Sequence, residues 1–384
     1  MRFLKANTLF NGRKTLPGDS VLVIGDNALL KEIVPESSVE KSNIEHLDGI
    51  LMPGFINAHC HLELSHLKAQ VPQHTGLPEF AKHIIIHRNK FSKEQIAEHI
   101  KAADTEMWQN GCVAVGDISN GNDSFFTKTQ SNIFYHTFVE LIGLNPASQS
   151  LIFDKGLQIQ HELRQHRLRG SLAPHAPYST STELIKKIAD YNAEQNLPLS
   201  IHNQESEEEV RFFRGKKNGF DDLFKFLGID LSWYKAPNTS SLQSYVKELS
   251  DKQPSVLVHN TFTQKEDITA ASDKNIYWCF CPGANLYIEN RLPDYSLFNE
   301  TDKICFGTDS LASNGQLNVL EEANIVLKST NTFSLETILQ GLTANGAEAL
   351  GIADNFGSFI VGKNAGLNLV AFKDSQLSFI KKII

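Results

Sequence analysis

Apolar and polar residues follow two different rhythms along the chain. From Phe3 to Met52, short apolar runs such as residues 21–24 are separated by turn residues and show no helical period, which predicts a small β unit. The last stretch, from Phe359 to Ile384, has the same pattern, and we expect the two chain ends to pair into one small β-sandwich. Between them, apolar runs of four to eight residues alternate with longer amphipathic stretches, which is typical of repeated βα units.

Eight of these apolar runs are candidate parallel strands, which predicts an α/β fold with a TIM-like (β/α)8 barrel. They span residues 54–57, 112–116, 133–139, 170–173, 197–201, 255–258, 276–280 and 304–306. This interpretation divides the chain into a barrel at 53–355 and a β-sandwich built from 1–52 and 356–384. About 50 residues separate the fifth and sixth strands. Because an insertion after a barrel strand lies over the active face, we expect this one to be a lid or specificity element.

Composition and charge exclude several classes of protein. Of the 384 residues, 41% are apolar and 21% are charged, which supplies enough apolar side chain for a large core. The 36 basic and 44 acidic residues give a net charge of −8 with no local basic patch, so we expect no nucleic-acid or membrane partner. No stretch is a candidate membrane helix or secretory signal, and five cysteines are too few for a disulfide scaffold, which favours a cytoplasmic location.

Histidine and aspartate residues recur just after the predicted strands. His59 and His61 are two positions apart, so in an extended chain their side chains point to the same face, where two imidazoles can hold one cation. Further polar residues follow the apolar runs of separate strands, namely His175, His202, His259 and Asp309. The C-terminal rim of a βα barrel is where such a fold builds its site, so these side chains form the candidate active site.

Seven segments surround these residues. They are PGFINAHCHLELS at 53–65, HAPYS at 175–179, HNQE at 202–205, VLVH at 256–259, CPGAN at 281–285, GTDS at 307–310 and GK at 362–363. Together they resemble the amidohydrolase superfamily, and within it the branch of deaminases and chlorohydrolases that includes the S-adenosylhomocysteine and aminofutalosine deaminases. The resemblance covers essentially the whole chain, and it implies a hydrolase that acts on carbon–nitrogen bonds other than peptide bonds.

The resemblance implies one divalent metal ion, held by His59, His61, His202 and Asp309, with one position left for water. Zn²⁺ is the expected ion. Fe²⁺ and Mn²⁺ are alternatives, because imidazole and carboxylate ligands accept all three metals. The fourth predicted strand, residues 170–173, contains no lysine, whereas the binuclear members of the superfamily use a carboxylated lysine there. This difference favours a single ion.

The resemblance also implies roles in the reaction. Glu205 would take a proton from water and deliver it to a ring nitrogen, His259 would hydrogen-bond the nucleophile, and Asp309 would relay a second proton to departing ammonia. His175 would bind the substrate. Structural alternatives remain open, with Glu205 as a solvated carboxylate at a helix start, His259 as a satisfied core histidine and His175 as a packing or capping residue. The glutamates at 207, 208 and 209 are expected to be first-turn charges that complement the helix dipole.

The predicted function is hydrolytic deamination of an amino-substituted heterocycle. The expected small-molecule substrate is an adenine nucleoside of the adenosylhomocysteine, methylthioadenosine or aminofutalosine type. Open alternatives are a deaminase or chlorohydrolase of a smaller ring, such as guanine, cytosine or an s-triazine, and a non-catalytic scaffold. A carboxylated substrate would need an arginine nearby, and the candidates are Arg211, Arg214, Arg167 and Arg169. Dimers are common in the superfamily, so a homodimer is one expected assembly.

Overall fold

Fourteen strands and thirteen α-helices make up the chain, and the computed structural model describes all 384 residues. The strands are β1 Arg2–Leu9, β2 Ser20–Ile24, β3 Leu30–Pro35, β4 Ile44–Pro53, β5 Phe55–Cys60, β6 Cys112–Ser119, β7 Phe134–Leu141, β8 Arg169–Pro174, β9 Leu199–Asn203, β10 Ser255–His259, β11 Ile276–Phe280, β12 Ile304–Phe306, β13 Leu367–Lys373 and β14 Gln376–Lys382. The helices are α1 Leu77–His87, α2 Lys93–Gln109, α3 Phe125–Gln130, α4 Gln149–Gln165, α5 Thr182–Glu194, α6 Glu207–Phe213, α7 Gly219–Phe226, α8 Ser241–Tyr245, α9 Lys265–Ala270, α10 Pro282–Glu289, α11 Val319–Ser329, α12 Leu335–Gly341 and α13 Ala344–Ala349.

All eight predicted parallel strands are present, as β5 to β12. They form two four-stranded parallel sheets, one in the order β5-β6-β7-β8 and the other in the order β12-β11-β10-β9. Several strands extend further than predicted at their carboxyl ends, as β5 does to Cys60 and β9 to Asn203. The prediction stopped where the apolar run stopped, whereas the polar residues that follow still pair in the sheet. A mixed α/β fold with parallel sheets is therefore confirmed.

The two parallel sheets contact each other at both edges through backbone hydrogen bonds. At one edge, the carbonyl of His59 accepts from the amides of Thr308 at 2.9 Å and Asp309 at 3.1 Å. At the other edge, the amide of His202 donates to the carbonyl of His175 at 2.9 Å. Both contacts involve residues at the carboxyl ends of the strands, so the chemistry-bearing residues of the two sheets face a common region.

The two ends of the chain share one six-stranded sheet in the order β14-β13-β4-β1-β2-β3. Strand β13 pairs antiparallel with β4, and β1 pairs parallel with β4. Its apolar face includes Leu4, Leu22, Leu51 and Leu369, which are all buried. The strand-like patterns at the two chain ends therefore belong to a single sheet, and only Gly54 separates its strand β4 from β5 of the parallel sheets.

The long connection between β9 and β10 folds into three helices, α6, α7 and α8. Phenylalanines of α6 and α7, among them Phe212, Phe220 and Phe224, form a buried apolar cluster with Leu77 and Phe80 of α1. Helices α1 and α7 therefore make an apolar layer that continues into the cavity described below. None of the helices is long and apolar enough to cross a membrane. The five cysteines are all unpaired and buried.

Candidate active site

Four predicted side chains meet at the carboxyl ends of the parallel strands. His59 lies in β5, His61 follows it directly, His202 lies in β9 and Asp309 follows β12. One donor atom from each lies within 4.8 Å of the others, and all four residues are buried. The Nε2 atom of His61 is 3.2 Å from that of His59 and 3.1 Å from that of His202. The spacing of His59 and His61 along the chain does not by itself predict that the side chain of His202 lies beside them.

The donor set fits a divalent cation. The Nδ1–H of His202 donates to the carbonyl of His175 at 2.7 Å, and therefore its Nε2 carries the lone pair that faces the other imidazoles. Nitrogen ligands about 2.0–2.1 Å from a metal in tetrahedral geometry are separated by about 3.3 Å, close to the separations seen here. Unprotonated imidazole nitrogens this close to one another need a shared electrophile, because neither can donate to the other. The cluster is a candidate metal site.

Burial and charge set the protonation of these ligands. Burial lowers the pKa of His61, and it lowers the pKa of His202 well below the ordinary value, so both rings are held neutral. Burial acts to raise the pKa of Asp309. The hydrogen bond with His59 and the charge interactions with His61 and His259 outweigh burial, so that the pKa lies well below its usual range. Oδ1 of Asp309 is 3.4 Å from Nε2 of His61, and Oδ2 accepts from the hydroxyl of Ser313 at 2.5 Å. Neutral imidazoles and an ionised carboxylate are the forms that bind metal.

Glu205 lies in the loop between β9 and α6 and is not a solvated carboxylate. The residue is only 5% exposed and lines the cavity above the candidate metal site. Burial, followed by the negative charges of Asp309 and Glu209, raises the pKa of Glu205 well above its ordinary value. A carboxyl group with a raised pKa can hold a proton near neutral pH, as a general acid and base must.

Glu209 lies in the first turn of α6 with Glu207 and Glu208, as predicted. Unlike those two residues it is fully buried, which the acidic run did not indicate. Its Oε1 accepts from the amide of Gln204 at 3.1 Å and its Oε2 from the amide of Glu205 at 3.0 Å. These two N–H groups lie in the loop between β9 and α6 and need a hydrogen-bond acceptor. The carboxylate of Glu209, in the first turn of α6, accepts from both. Glu209 therefore fixes the backbone that carries Glu205.

His259 ends β10 and faces Glu205, with Nε2 3.6 Å from Oε1 of that carboxyl. Its Nδ1–H donates to Oδ1 of Asn285 at 2.8 Å, so Nε2 carries the lone pair. This Nε2 is buried and has no hydrogen-bond partner, and hence His259 is not a satisfied core histidine. Burial is the main cause that lowers the pKa of His259 to about 4, which keeps the ring neutral. Asn285, at the end of the CPGAN segment, therefore orients this ring.

The backbone at these positions is strained. His259 has a φ of 76° and Asp309 has a φ of 58°. Both values lie in the left-handed region of the backbone, which residues other than glycine rarely adopt. Gln204, next to Glu205, has a φ of 48°. Such residues each cost on the order of 1–3 kcal/mol and cluster at functional sites. The loops at the strand ends therefore hold these side chains in positions that relaxed backbone would not give.

His175 follows β8 and lines the same cavity, where Nδ1 lies 2.6 Å from the hydroxyl of Ser179. Beside it lies Glu140 of β7, a buried cavity residue that the sequence pattern did not single out. Its only distinguishing signal is a carboxylate one position before the end of an apolar strand. Glu63 also is buried, but it does not line the cavity, and its Oε2 accepts from the amide of Asn120 at 2.9 Å.

A cavity of about 450 Å³ opens above the candidate metal site. Its floor carries His61, His202, Glu205 and Asp309. Its walls are largely apolar and come from α1, α7 and the segment after β7, with Phe80, Ile84, Ile142, Ile152, Phe220, Leu223 and Leu227 among the lining residues. A volume in this range holds a ligand of drug or nucleoside size. Part of the predicted insertion, α7 and the residues after it, thus lines the cavity.

Neither predicted arginine pair lies on this cavity. Arg211 is exposed and pairs with Glu207 of its own helix, and Arg214 is exposed and donates to the carbonyl of Asn238. Arg167 is also exposed, and Arg169 donates to the carbonyl of Gly351. These arginines were candidates because they lie in the insertion or just before a predicted strand. Position along the chain did not determine where their long side chains point. The arginine that lines the cavity is Arg88, just after α1.

Comparison with known proteins agrees with this geometry. The model of the amidohydrolase family matches residues 50–383. The chain is 28% identical to the aminodeoxyfutalosine deaminase of a Nitratiruptor species, over 88% of this chain and 81% of the relative. It is 26% identical to the 5'-deoxyadenosine deaminase of Methanococcus vannielii, over 98% of this chain and 87% of the relative. The crystal structure of Helicobacter pylori aminofutalosine deaminase in complex with methylthio-coformycin superposes with a TM-score of 0.80 at 23% identity, covering 97% of this chain and 93% of that one.

Proposed function

Because the chain belongs to the amidohydrolase family, we propose that it is a metal-dependent hydrolase that releases ammonia from an adenine nucleoside. The observation that carries this proposal is the arrangement at the cavity floor. Three imidazole nitrogens and one carboxylate converge there, and Glu205 and His259 face each other 3.6 Å apart beside them. A metal-binding or storage site would gain nothing from that second pair, whereas a hydrolytic site needs groups that move protons.

The proposed metal ligands are His59, His61, His202 and Asp309, and Zn²⁺ is the proposed ion. Three imidazoles with one carboxylate suit Zn²⁺, although Fe²⁺ and Mn²⁺ accept the same donors. When bound, the ion supplies a polarised water whose pKa is lowered enough for it to act as a nucleophile near neutral pH.

The proton transfers are assigned to this chain's own residues. Glu205 accepts one proton from the attacking water and donates it to the ring nitrogen beside the amine-bearing carbon, which makes that carbon electrophilic. The unprotonated Nε2 of His259 accepts a hydrogen bond from the same water and so orients it. Asp309 relays the second water proton to the departing amine, so that the products are the oxo-substituted ring and ammonia. His175, on the cavity wall, contacts the substrate.

The shape and lining of the cavity support a nucleoside over a bare base. The cavity extends from the metal site between α1 and α7, so a ring bound at the floor leaves room for a sugar and a further substituent. The named activities of the two relatives, on aminodeoxyfutalosine and 5'-deoxyadenosine, belong to the same substrate class. The apolar walls suit an apolar substituent, and Arg88 on the same cavity is the arginine that would bind a carboxylated one.

Several broader features belong to the same proposal. We propose that the two parallel sheets close into one eight-stranded barrel at 53–355, which the hydrogen bonds at both sheet edges support. The six-stranded sheet would then form the small sandwich domain from 1–52 and 356–384. The five unpaired thiols fit a reducing cytoplasm. A homodimer is the proposed assembly, by analogy with the family.

The experiment that tests the proposed function is an ammonia-release screen of the metal-loaded protein. The panel contains adenosine, 5'-deoxyadenosine, methylthioadenosine, adenosylhomocysteine and aminofutalosine, with guanine, cytosine and a chlorinated s-triazine as smaller rings. We expect turnover of adenine nucleosides. Turnover confined to the smaller rings, or chloride release from the triazine alone, would overturn the nucleoside proposal and leave a hydrolase of a different substrate.

A further inference from the structure

Glu140 is a buried carboxylate on the cavity wall that the proposed reaction does not use. It lies one residue before the end of β7, is only 7% exposed and lines the cavity. Its Oε2 accepts from the side-chain amide of Asn120 at 2.7 Å. Its Oε1 is buried and has no hydrogen-bond partner. A buried carboxylate oxygen without a donor is unfavourable, so a polar hydrogen from a ligand is the missing partner.

No group of the protein supplies that hydrogen. Among basic side chains, Nδ1 of His202 approaches Oε1 to 3.7 Å, which is too long for a hydrogen bond. That nitrogen already donates to the carbonyl of His175 at 2.7 Å, so Glu140 does not orient the metal ligand. The donor atoms of Glu140, His175 and His202 lie close enough together to suggest a second cation. The same hydrogen bond excludes it, because Nδ1 of His202 carries a proton in place of a lone pair.

The chemistry of an adenine nucleoside identifies the donor. Apart from the amino group that reacts, the adenine ring presents only acceptor nitrogens, which a carboxylate repels. The hydroxyls of the sugar are donors, and a carboxylate is a common partner for them. We infer that Glu140 is a substrate-binding residue whose Oε1 accepts a hydrogen bond from a sugar hydroxyl, while Asn120 holds Oε2 in place. This inference rests on the proposed function. The sugar then lies against the wall made by β7 and the end of β6.

The test combines loss of the hydroxyl with loss of the carboxylate. We would measure kcat and KM of ammonia release for adenosine, 2'-deoxyadenosine and 3'-deoxyadenosine with the wild type, Glu140→Gln and Glu140→Leu. In Glu140→Gln, the amide oxygen stays on the Asn120 donor and the NH₂ faces the ligand, and Glu140→Leu has no polar atom. The wild type should lose about 10- to 100-fold in kcat/KM when one hydroxyl is removed. Glu140→Leu should lose a similar factor on adenosine, mainly through KM, and then show no dependence on that hydroxyl. Glu140→Gln should lose less, because its NH₂ can still donate to the hydroxyl oxygen.

A matched control separates this role from general support of the wall. Glu63→Gln changes another buried carboxylate, which contacts the backbone of Asn120 but does not line the cavity, and it should keep the hydroxyl dependence. Metal content measured on each variant should stay at the wild-type level. Equal hydroxyl dependence in the wild type and both Glu140 variants, or none in the wild type, would overturn the inference alone. Metal loss in both variants would overturn it by showing that Glu140 acts through His202. Failure of the wild type to deaminate any nucleoside would overturn the proposed function with it.

Discussion

Replacement of Glu209 by glutamine tests how the loop that carries Glu205 is held. The carboxylate accepts from the amides of Gln204 and Glu205 in a fully buried position. Glutamine keeps one acceptor oxygen and turns its NH₂ group toward the other amide, so that one buried N–H loses its partner. An unsatisfied buried donor costs about 1–3 kcal/mol, and the free energy of unfolding of Glu209→Gln should fall by this amount.

The effect on activity should exceed the effect on stability. A displacement of about 1 Å of a reacting group can lower a rate by about a hundredfold, so kcat of Glu209→Gln should fall by about 10- to 100-fold. KM should change little, because the cavity walls are untouched. The assay is ammonia release with kcat and KM resolved, together with urea unfolding and metal content. The metal should remain bound, since Glu209 does not contact the four proposed ligands.

Glu207→Gln is the matched control, because it lies on the same helix turn but is exposed and pairs only with Arg211. An exposed ion pair contributes at most about 1 kcal/mol, so this variant should match the wild type in kcat and nearly so in stability. If Glu209→Gln also retained wild-type kcat, the hydrogen bonds from the loop amides to Glu209 would have no role in positioning Glu205. If both variants lost activity equally, the effect would come from the charge of the acidic run and the reasoning would be refuted.

The remaining predictions address the proton-transfer groups and one buried carboxyl. Glu205→Gln should keep its metal, measured by elemental analysis, and lose at least about a hundredfold in kcat; near-normal turnover would reject its role. Asn285→Leu removes the acceptor that fixes the His259 ring, so kcat should fall about 10- to 100-fold with KM unchanged in steady-state assays, and an unchanged kcat would show that the ring needs no such support. Burial raises the pKa of Glu322 to about 8 from an unfolded value near 4.5, so the folded protein binds more protons between these values and stability falls as pH rises through them. The glutamine of Glu322→Gln does not titrate, so the loss of unfolding free energy relative to the wild type should be largest near about pH 5 and smallest near about pH 9. Urea unfolding at several pH values measures this difference. A difference that stays constant or grows as the pH rises would contradict the predicted direction.

The sequence was sufficient for the strands and for the residues at their ends. Apolar runs located all eight parallel strands, because a strand buried on both faces is continuously apolar. Six polar residues could be grouped because the carboxyl ends of parallel strands meet at one edge of a sheet, namely His59, His61, His175, His202, His259 and Asp309. Only the resemblance to the amidohydrolases divided this group into expected metal ligands and other residues. The exact ends of the strands could not be located, since polar residues such as Asn203 continue the pairing after the apolar run has stopped.

Burial and side-chain direction were not predictable from the local pattern. Glu209 stands in an acidic run like that of any solvated first turn, and only the loop folded over it makes it a buried acceptor. Glu140 is a single carboxylate in an apolar strand, and its neighbours across the cavity come from other parts of the chain. Arg211 was placed near the site by its position in the insertion, but a salt bridge within its own helix turns it outward. For the two glutamates, the fold around the side chain decides the role, and for the arginine a neighbour one helical turn away does so.

The most direct test of the central claim is ammonia release from 5'-deoxyadenosine by one preparation of the protein, measured as isolated, after chelation and after addition of Zn²⁺. We predict that ammonia appears in equal amount to the oxo-substituted product, that chelation abolishes it, and that one equivalent of metal per chain restores it. Absence of ammonia from a preparation that holds one metal per chain, or undiminished release after the metal has been removed, would contradict the account.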